Sequence, residues 1–198
     1  FHFSHSIPKR RLALISQTQL ISQPLVAQTR MIYHSDMKVE ISFDGAGPRL
    51  VNGQYILCAG VHSKYLDICH TAVFEMGPVK EGFSSVTAEF LALSQALLIL
   101  VDNWPRMQDF YGIKTIIVRG DNLTVINAMN NIDQIREKKC RYIWEQAKEL
   151  DAKLRPTFQI YYVYRPGNEN PADAPSRSFF KDGKCSKRYN YPFKGKVF

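Results

Sequence analysis

Residues 84–100 read Ser-Ser-Val-Thr-Ala-Glu-Phe-Leu-Ala-Leu-Ser-Gln-Ala-Leu-Leu-Ile-Leu, and the interpretation of the whole chain starts from them. Ala and Leu are strong helix formers, and Ser84 or Ser85 can cap the first turn, so this stretch predicts a helix. Because apolar residues lie on nearly every side of it, the helix is expected to be buried rather than to lie on the surface.

One residue of this helix does not fit a buried position. Glu89 shares a face with Leu93, Ala96 and Leu100, which follow it by helical spacing. A carboxylate on a buried face is destabilising by several kcal/mol unless something compensates its charge. Two explanations are open at this point: a buried Arg or Lys partner, or a metal ion held by a cluster of carboxylates.

Composition sets the general class of the protein. The chain has 198 residues and is 45% hydrophobic, which suits one domain with a sizeable core plus tails. No uninterrupted apolar run reaches the length of a membrane span, so we expect a soluble protein without a membrane partner. The four cysteines lack metal-binding spacing, which favours reduced thiols over a zinc site, and whether Cys58 and Cys69 pair is left open.

The net charge of +8 belongs to the two ends of the chain. Residues 1–37 carry four Lys or Arg against one Asp, and residues 177–198 carry seven against one, whereas the middle is nearly neutral. The C-terminal basic residues alternate with Tyr189, Tyr191 and Phe193, a composition that suits RNA or the surface of a large ribonucleoprotein assembly. Solvated ends without a partner are the alternative.

The N-terminal segment has the composition of an organelle transit peptide. Residues 1–35 contain no acidic residue, several Lys or Arg and many Ser, Gln and Thr. A mitochondrial location is therefore favoured, with the nucleus and the cytoplasm as alternatives. The basic run Ile7–Arg11 is also consistent with a nuclear signal or an arm that contacts RNA.

Hydrophobic periodicity predicts a mixed α/β fold. Strands are expected at Lys38–Asp44, Gln54–Ser63, Leu66–Met76, Lys114–Arg119 and Phe158–Tyr164. Besides the helix at 84–100, helices are expected at Leu123–Asn130, Asp133–Leu154 and Pro171–Ser178, the last capped by Asn170. Short connections predict three antiparallel meander strands, and the strand–helix–strand order predicts two parallel strands, so the sheet has five strands with helices on both faces. The segment Asp44–Pro48 is expected to be a turn.

Four acidic residues occupy corresponding places in these elements. Asp44 ends the first strand, Glu89 lies in the first helix, Asp121 follows the fourth strand and Asp173 begins the last helix. Carboxylates that meet at strand ends repel one another unless divalent cations neutralise them. Oxygen ligands without histidines favour Mg²⁺, with Mn²⁺ as the alternative, over zinc.

Four short sequence motifs contain these acids and follow one another along the chain. They are Phe43–Ala46, Thr87–Leu93, Val118–Ile126 and Tyr164–Asp173. Together they resemble type 1 ribonuclease H, especially its plant and archaeal-like branch, over roughly residues 38–178. The ending Asn-Pro-Ala-Asp-Ala-Pro-Ser-Arg at 170–177 is also similar to the ribonuclease H domains of retroelements.

The resemblance implies a fold, a reaction and a site. It implies a ribonuclease H-like domain at 38–178, flanked by a basic extension at 1–37 and a basic aromatic tail at 179–198. The family cleaves the RNA strand of RNA–DNA hybrids with two Mg²⁺ ions, and the matching metal-binding and catalytic carboxylates are Asp44, Glu89, Asp121 and Asp173.

Candidate contacts to the nucleic acid lie around these carboxylates and in the tail. They are Gly45, Ser85, Asn122, Arg165, Asn168, Lys187 and Arg188. Asn168 and Asn170 are candidates for positioning the loop that carries Asp173. This loop contains no His, although many family members have one there.

Three functions remain open from the sequence. The first is an Mg²⁺-dependent ribonuclease H that acts on RNA–DNA hybrids. The second is a non-catalytic subunit with the same fold in a ribonucleoprotein, such as a mitochondrial ribosome, whose basic tails bind RNA. The third is a fragment of a retroelement polyprotein, which upstream reverse transcriptase motifs would identify.

Overall fold

A computed structural model describes residues 37–78, 83–110 and 112–190. The predicted N-terminal extension lies outside the described residues apart from Met37, as do Tyr191 and Phe193 of the predicted tail. The strands are β1 (Lys38–Val51), β2 (Gln54–Ser63), β3 (Ile68–Glu75), β4 (Thr115–Gly120), β5 (Gln159–Tyr164) and β6 (Lys187–Asn190). The α-helices are α1 (Ser85–Asp102), α2 (Leu123–Met129), α3 (Lys138–Leu154) and α4 (Asp173–Asp182).

The strands form one mixed sheet in the order β5-β4-β1-β2-β3-β6. β1, β2 and β3 form the predicted antiparallel meander, and β4 and β5 add in parallel beside β1. The predicted mixed sheet with helices on both faces is therefore confirmed, but the predicted number of five strands is wrong. The sixth strand, β6, pairs in parallel with β3.

β6 was missed because its residues read as a charged tail. What holds it in place is a contact distant in sequence: the Tyr189 ring stacks on Phe74, with centroids 4.9 Å apart. The Tyr189 hydroxyl also donates a hydrogen bond to Gln95 of α1 at 3.3 Å. Such contacts are long-range in sequence and cannot be read from local periodicity. The boundary proposed at residue 178 falls inside α4, and the division into domains stays a prediction.

Helix α1 is the central element of the core. Ser84 caps its N-terminus, and Ser84 and Thr87 form a reciprocal capping box. The helix packs on the inner face of the sheet, against apolar residues of β1 and β2, and α3 packs against it in turn. By length and composition alone α1 could cross a membrane, but 67% of it is buried inside the protein, which explains its apolar composition as that of a core helix.

Strand β1 is longer than the sequence indicates. The segment predicted to be a turn, Asp44–Pro48, lies within β1, and the pairing register with β2 shifts between Ala46 and Arg49. Its Gly and Pro residues therefore mark an irregularity in a continuing strand rather than the end of one. Asp44 consequently lies inside β1, not at its end.

Helix α4 covers part of the outer face of the sheet. Phe179 and Phe180 pack there against Ile56, Cys58 and Val73 of β2 and β3. The helix begins at Asp173, two residues later than predicted, and Ala172 rather than Asn170 occupies the N-cap position. The four cysteines are free thiols.

Close packing between α4 and β2 requires a glycine at position 60. A Cβ atom there would lie 2.3 Å from the carbonyl oxygen of Ala172 and 2.4 Å from the nitrogen of Ser176. The Gly60→Ala substitution should therefore displace the start of α4 and lower the free energy of unfolding by about 1–3 kcal/mol, the usual range for overpacking. Urea unfolding followed by circular dichroism measures this change, and an unchanged midpoint would contradict the close contact.

Candidate active site

Three acidic side chains from different elements meet at one edge of the fold. Asp44 comes from β1, Glu89 from α1 and Asp121 from the residue after β4, and their ligand oxygens all lie within 4.8 Å of one another. Asp44 and Glu89 are buried, with 5% and 7% exposure. We call these three residues the acidic cluster. Three of the four carboxylates predicted from the sequence are thus brought together.

Strand pairing places two members of the acidic cluster side by side. β1 and β4 run in parallel, and the last pair in their register joins Ser42 to Arg119. Two residues further along each strand direction lie Asp44 and Asp121. β4 ends beside Asp44 while β1 continues to Val51, so the two acids lie at the carboxyl end of β4, a place where sites commonly form in such sheets.

A glycine admits the third carboxylate. An added Cβ atom at Gly45 would lie 2.3 Å from the backbone carbon of Ala88 and from the backbone nitrogen of Glu89. Only a residue without a side chain allows α1 to approach β1 this closely, and this approach sets Glu89 beside Asp44. Gly45, which the sequence offered as a nucleic-acid contact, thus has a packing role.

Asn122 leaves Asp121 available to the cluster. The Asn122 side-chain oxygen accepts hydrogen bonds from the backbone nitrogens of Thr124 and Val125, at 3.1 and 3.4 Å, and so caps α2. Asp121 therefore does not act as the cap. One of its carboxylate oxygens, Oδ1, is buried without a hydrogen-bond partner.

Burial and nearby negative charges raise the pKa values of two acids of the cluster, Glu89 and Asp44. Burial, and then the charges of Asp44 and Asp121, raise the pKa of Glu89 from 4.5 to about 9, against the opposing effect of the Gly45 backbone amide. Burial is also the largest reason why the pKa of Asp44 rises from 3.8 to about 6. Glu89 Oε2 is buried without a hydrogen-bond partner, and no cation among the described residues lowers its pKa. Within the part of the chain that the structure describes, no buried Arg or Lys partner accounts for Glu89.

The fourth predicted carboxylate, Asp173, lies beside the acidic cluster rather than in it. Its Oδ1 forms an ion pair with Arg177 of the same helix at 2.6 Å. It is nevertheless close enough for its charge to raise the pKa of Asp44, which Arg177 lowers. Its role as a metal ligand stays a prediction.

Ser176, which sequence reasoning missed, links α4 to the acidic cluster. Its hydroxyl donates a hydrogen bond to Asp44 Oδ2 and lies 2.8 Å from the carbonyl oxygen of Asp173. This bond lowers the pKa of Asp44 and partly offsets the effect of burial. The available signal was its position three residues after Asp173, on the same side of the predicted helix.

The loop before α4 is tied to β1 by a buried asparagine. Asn170 Nδ2 donates a hydrogen bond to the carbonyl oxygen of Phe43 at 2.9 Å, and its Oδ1 accepts one from the Ala172 nitrogen at 3.2 Å. Asn170 thus positions the loop directly beside Asp44, as the sequence indicated. Asn168, the other residue proposed for this role, is exposed.

The remaining candidate nucleic-acid residues are spread over the surface. Arg165 forms an ion pair with Glu40 at 2.6 Å, and Ser85 is exposed at the start of α1. Arg188 forms an ion pair with Glu75 at 3.0 Å, and Lys187 Nζ lies 5.1 Å from the centre of the Tyr189 ring. Their contact with nucleic acid stays a prediction.

Comparison with known proteins identifies the family. A family model described as reverse transcriptase-like matches residues 69–177, more than half of the chain. The chain therefore belongs to this reverse transcriptase-like family, which has the ribonuclease H-like fold. The narrower branch suggested by the sequence stays a prediction.

Solved structures with the same fold are ribonucleases H. RNase H1 from the halophilic archaeon Halobacterium salinarum NRC-1 is 22% identical, with a TM-score of 0.53 over 74% of this chain and 99% of that one. The N-terminal RNase H domain of a Mycobacterium tuberculosis protein is 21% identical, with a TM-score of 0.52 over 72% and 93%. LC11-RNase H1, isolated from compost, is 19% identical, with a TM-score of 0.55 over 71% and 94%. A search of curated proteins found no significant match. At these identities the likeness establishes the fold.

The acidic cluster has the ligand chemistry of a hard divalent cation. All its donors are carboxylate oxygens, and two of them, Glu89 Oε2 and Asp121 Oδ1, are buried without a hydrogen-bond partner. Buried anionic oxygens that lack a protein partner are the groups that a cation satisfies. The residues therefore fit Mg²⁺ or Mn²⁺ better than zinc, which takes nitrogen and sulfur ligands more often.

The raised pKa of Glu89 predicts that the metal-free protein loses stability as pH rises. The folded state binds a proton that the unfolded state has lost above pH 4.5, so stability falls progressively until the pH passes about 9. At about pH 8.5 in EDTA, Glu89→Gln should unfold ~5 °C above the parent protein, because Gln is neutral without a proton, whereas Glu89 must take one up on folding. Thermal unfolding by circular dichroism measures the difference.

A matched control separates this effect from a general change of charge. Glu145→Gln removes an exposed carboxylate on α3, so its unfolding temperature should stay within about 1 °C of the parent. Mg²⁺ should stabilise the parent protein at about pH 8.5 and should stabilise Glu89→Gln much less. Equal melting temperatures for the parent and Glu89→Gln across this pH range would contradict the raised pKa of Glu89.

Proposed function

We propose that the protein is a divalent-metal-dependent ribonuclease of the ribonuclease H type, which cleaves the RNA strand of RNA–DNA hybrids. The observation that carries the proposal is the acidic cluster of Asp44, Glu89 and Asp121, with two buried carboxylate oxygens that no protein group satisfies. The cluster occurs in a chain of the reverse transcriptase-like family. A neighbour with the same fold, LC11-RNase H1, has been solved in complex with an RNA/DNA hybrid, at 17% identity and a TM-score of 0.50.

Asp44, Glu89 and Asp121 would hold the cations, and Asp173 would join them from α4. When bound, two Mg²⁺ ions lower the pKa of a water molecule and stabilise the charge on the leaving oxygen of a phosphodiester. The protein supplies a fixed arrangement of carboxylates, because Asp44 and Asp121 lie on paired strands and Glu89 lies on a buried helix. Rigid elements of this kind hold reacting groups in place more accurately than loops do.

Asp173 can exchange its partner at low free-energy cost. The Asp173 side chain is 36% exposed and its partner Arg177 is 63% exposed. Ion pairs as exposed as this one contribute about 0–1 kcal/mol to the free energy of unfolding. A cation beside Asp44 would attract the Asp173 carboxylate more strongly than the exposed guanidinium does. Arg177, once released, would lie next to the site with its charge available for a substrate phosphate.

Substitution of one member of the acidic cluster tests the activity. With a labelled RNA–DNA hybrid and Mg²⁺, Asp121→Asn should reduce the rate of cleavage at least ~100-fold, because it removes a negatively charged ligand from the site. Asp102→Asn, an exposed residue at the end of α1, is the matched control and should cleave like the parent. A folded parent protein that leaves the hybrid intact over a range of Mg²⁺ and Mn²⁺ concentrations would refute the proposal.

A non-catalytic subunit of a ribonucleoprotein is the second candidate. The observation that favours it is that Asp173 is paired with Arg177 outside the acidic cluster, while the exposed Lys187 and Arg188 add positive charge on β6. This function predicts a folded chain that binds RNA in a strongly salt-dependent way and cleaves no hybrid. The cleavage assay and a salt titration of RNA binding therefore distinguish the two candidates.

The contact between Ser176 and Asp44 predicts a shift in the pH dependence of cleavage. In the metal-free protein the Ser176 hydroxyl lowers the pKa of Asp44, so Ser176→Ala should raise that pKa and let protons compete more strongly with Mg²⁺ for Asp44 at acidic pH. At a Mg²⁺ concentration below saturation, the rate near pH 6 should fall more than the rate near pH 8, by roughly threefold to tenfold. Ser178→Ala on the same helix is the control. If Ser176→Ala lowers the cleavage rate by the same factor at all pH values, the assigned contact between Ser176 and Asp44 is contradicted.

A further inference from the structure

The outer face of the sheet is only partly covered by the described residues. Helix α4 packs over β2, β3 and the adjoining part of β1. Over β5, β4 and the first half of β1, no helix among residues 37–78, 83–110 and 112–190 lies on this face. The two hollows there have volumes of about 640 and 440 Å³, and Lys38 lines both of them.

The register of the strands arranges the side chains of this open face in three rows. Successive rows run across β5, β4 and β1 and consist of Gln159, Thr115 and Lys38; then Tyr161, Ile117 and Glu40; then Val163, Arg119 and Ser42. Rows on one face are about 7 Å apart, because every second residue points to that face. The open face is therefore a shallow groove with a regular spacing of side chains.

Positive charge dominates the groove. Lys38, Lys64, Arg119 and Arg165 line it, and Glu40 is the one acidic residue among the residues that line the two hollows. The Glu40 carboxylate is bound on both sides, by Arg119 at 2.8 Å and by Arg165 at 2.6 Å. With four cations against one anion, the groove is complementary to a polyanion.

Aromatic and aliphatic side chains provide the apolar part of the groove. Tyr161 is 52% exposed and Tyr65 is 38% exposed, one in each hollow. Ile117 and Val163 are half-buried between the strands. Exposed rings next to cations form the combination on which unpaired bases stack while the phosphates are neutralised.

We propose that this outer sheet face binds single-stranded nucleic acid, in a groove that borders the acidic cluster and runs away from it. The third row, with Ser42 and Arg119, lies two residues from Asp44 and Asp121, whereas Lys38 in the first row lies six residues, about 20 Å, from Asp44 along β1. A base-paired duplex would present only its phosphates to the face and would offer no unpaired base to stack on the exposed Tyr161 ring. An acidic protein would satisfy the charges but would not require rings at this spacing. The proposal does not depend on whether the acidic cluster is catalytic.

Binding of fluorescein-labelled single-stranded DNA and RNA 12-mers to the full chain tests the proposal. Fluorescence anisotropy in EDTA, which prevents metal-dependent cleavage, gives the dissociation constant. Tyr161→Ala should weaken binding about tenfold through loss of base stacking. Lys38→Ala should weaken it severalfold and lower the slope of log K against log salt concentration by about one.

Matched substitutions on the other side of the sheet serve as controls. Tyr142 of α3 is 50% exposed, close to the exposure of Tyr161, and Lys153 is exposed on the same helix. The Tyr142→Ala and Lys153→Ala variants keep the outer sheet face and all other basic parts of the chain intact. Their affinity for the 12-mers should therefore stay within about twofold of that of the parent. If Tyr161→Ala and Lys38→Ala bind as tightly as these controls, the proposal is overturned.

Photocrosslinking locates the bound strand directly. A 12-mer that contains 5-iodouracil should crosslink to Tyr161 or Tyr65, as identified by mass spectrometry, and crosslinks confined to other residues would overturn the proposal. Light scattering that detects a dimer of the parent protein but not of Tyr161→Ala would assign the face to a second copy of the chain instead. A protein that binds the 12-mer through this face but cleaves no hybrid would refute the proposed ribonuclease function and leave this inference standing.

Discussion

The contact between the backbones of β1 and α1 is the constraint on which the rest of the site depends. At Gly45 the strand and the helix approach so closely that even a methyl group would overlap Ala88 and Glu89. This approach forces a carboxylate from the most deeply buried helix against a carboxylate from the central strand. Two other side chains of the site act on this arrangement. Asn122 caps α2 in place of Asp121, and Ser176 donates to Asp44.

The acidic cluster illustrates a conflict between stability and function. Without a cation, the protein contains two acids whose pKa values are raised by burial and by one another, to about 6 for Asp44 and about 9 for Glu89. A sequence selected only for stability would place Gln or Leu at position 89. Most of the rest of α1 is apolar and buried, which allows the fold to tolerate one unfavourable group. A hard cation would turn the same arrangement into a favourable one.

The sequence predicted those parts of the fold that depend on local pattern. Helix α1 is evident from its composition. The three meander strands, β4 and β5 are evident from their hydrophobic patterns. The three members of the acidic cluster are evident from their positions within or directly after these elements. Features that depend on contacts between distant residues were missed. β6 is held by a ring stacked on Phe74, and the hydroxyl of Ser176 reaches a carboxylate 132 residues away. The bulge in β1 was read as a turn, because Gly and Pro serve both structures and only the continued pairing with β2 distinguishes them.

The short strand β6 also has a consequence for the behaviour of the protein in concentrated solution. A β3 strand with an unpaired edge would offer backbone donors and acceptors to a neighbouring molecule, which is a common route to aggregation. β6 satisfies that edge and replaces it with one that spans four of the described residues and carries Lys187 and Arg188. Two such edges repel each other when they meet. The positive charge of β6 therefore disfavours self-association through this edge of the sheet, whether or not the protein binds nucleic acid.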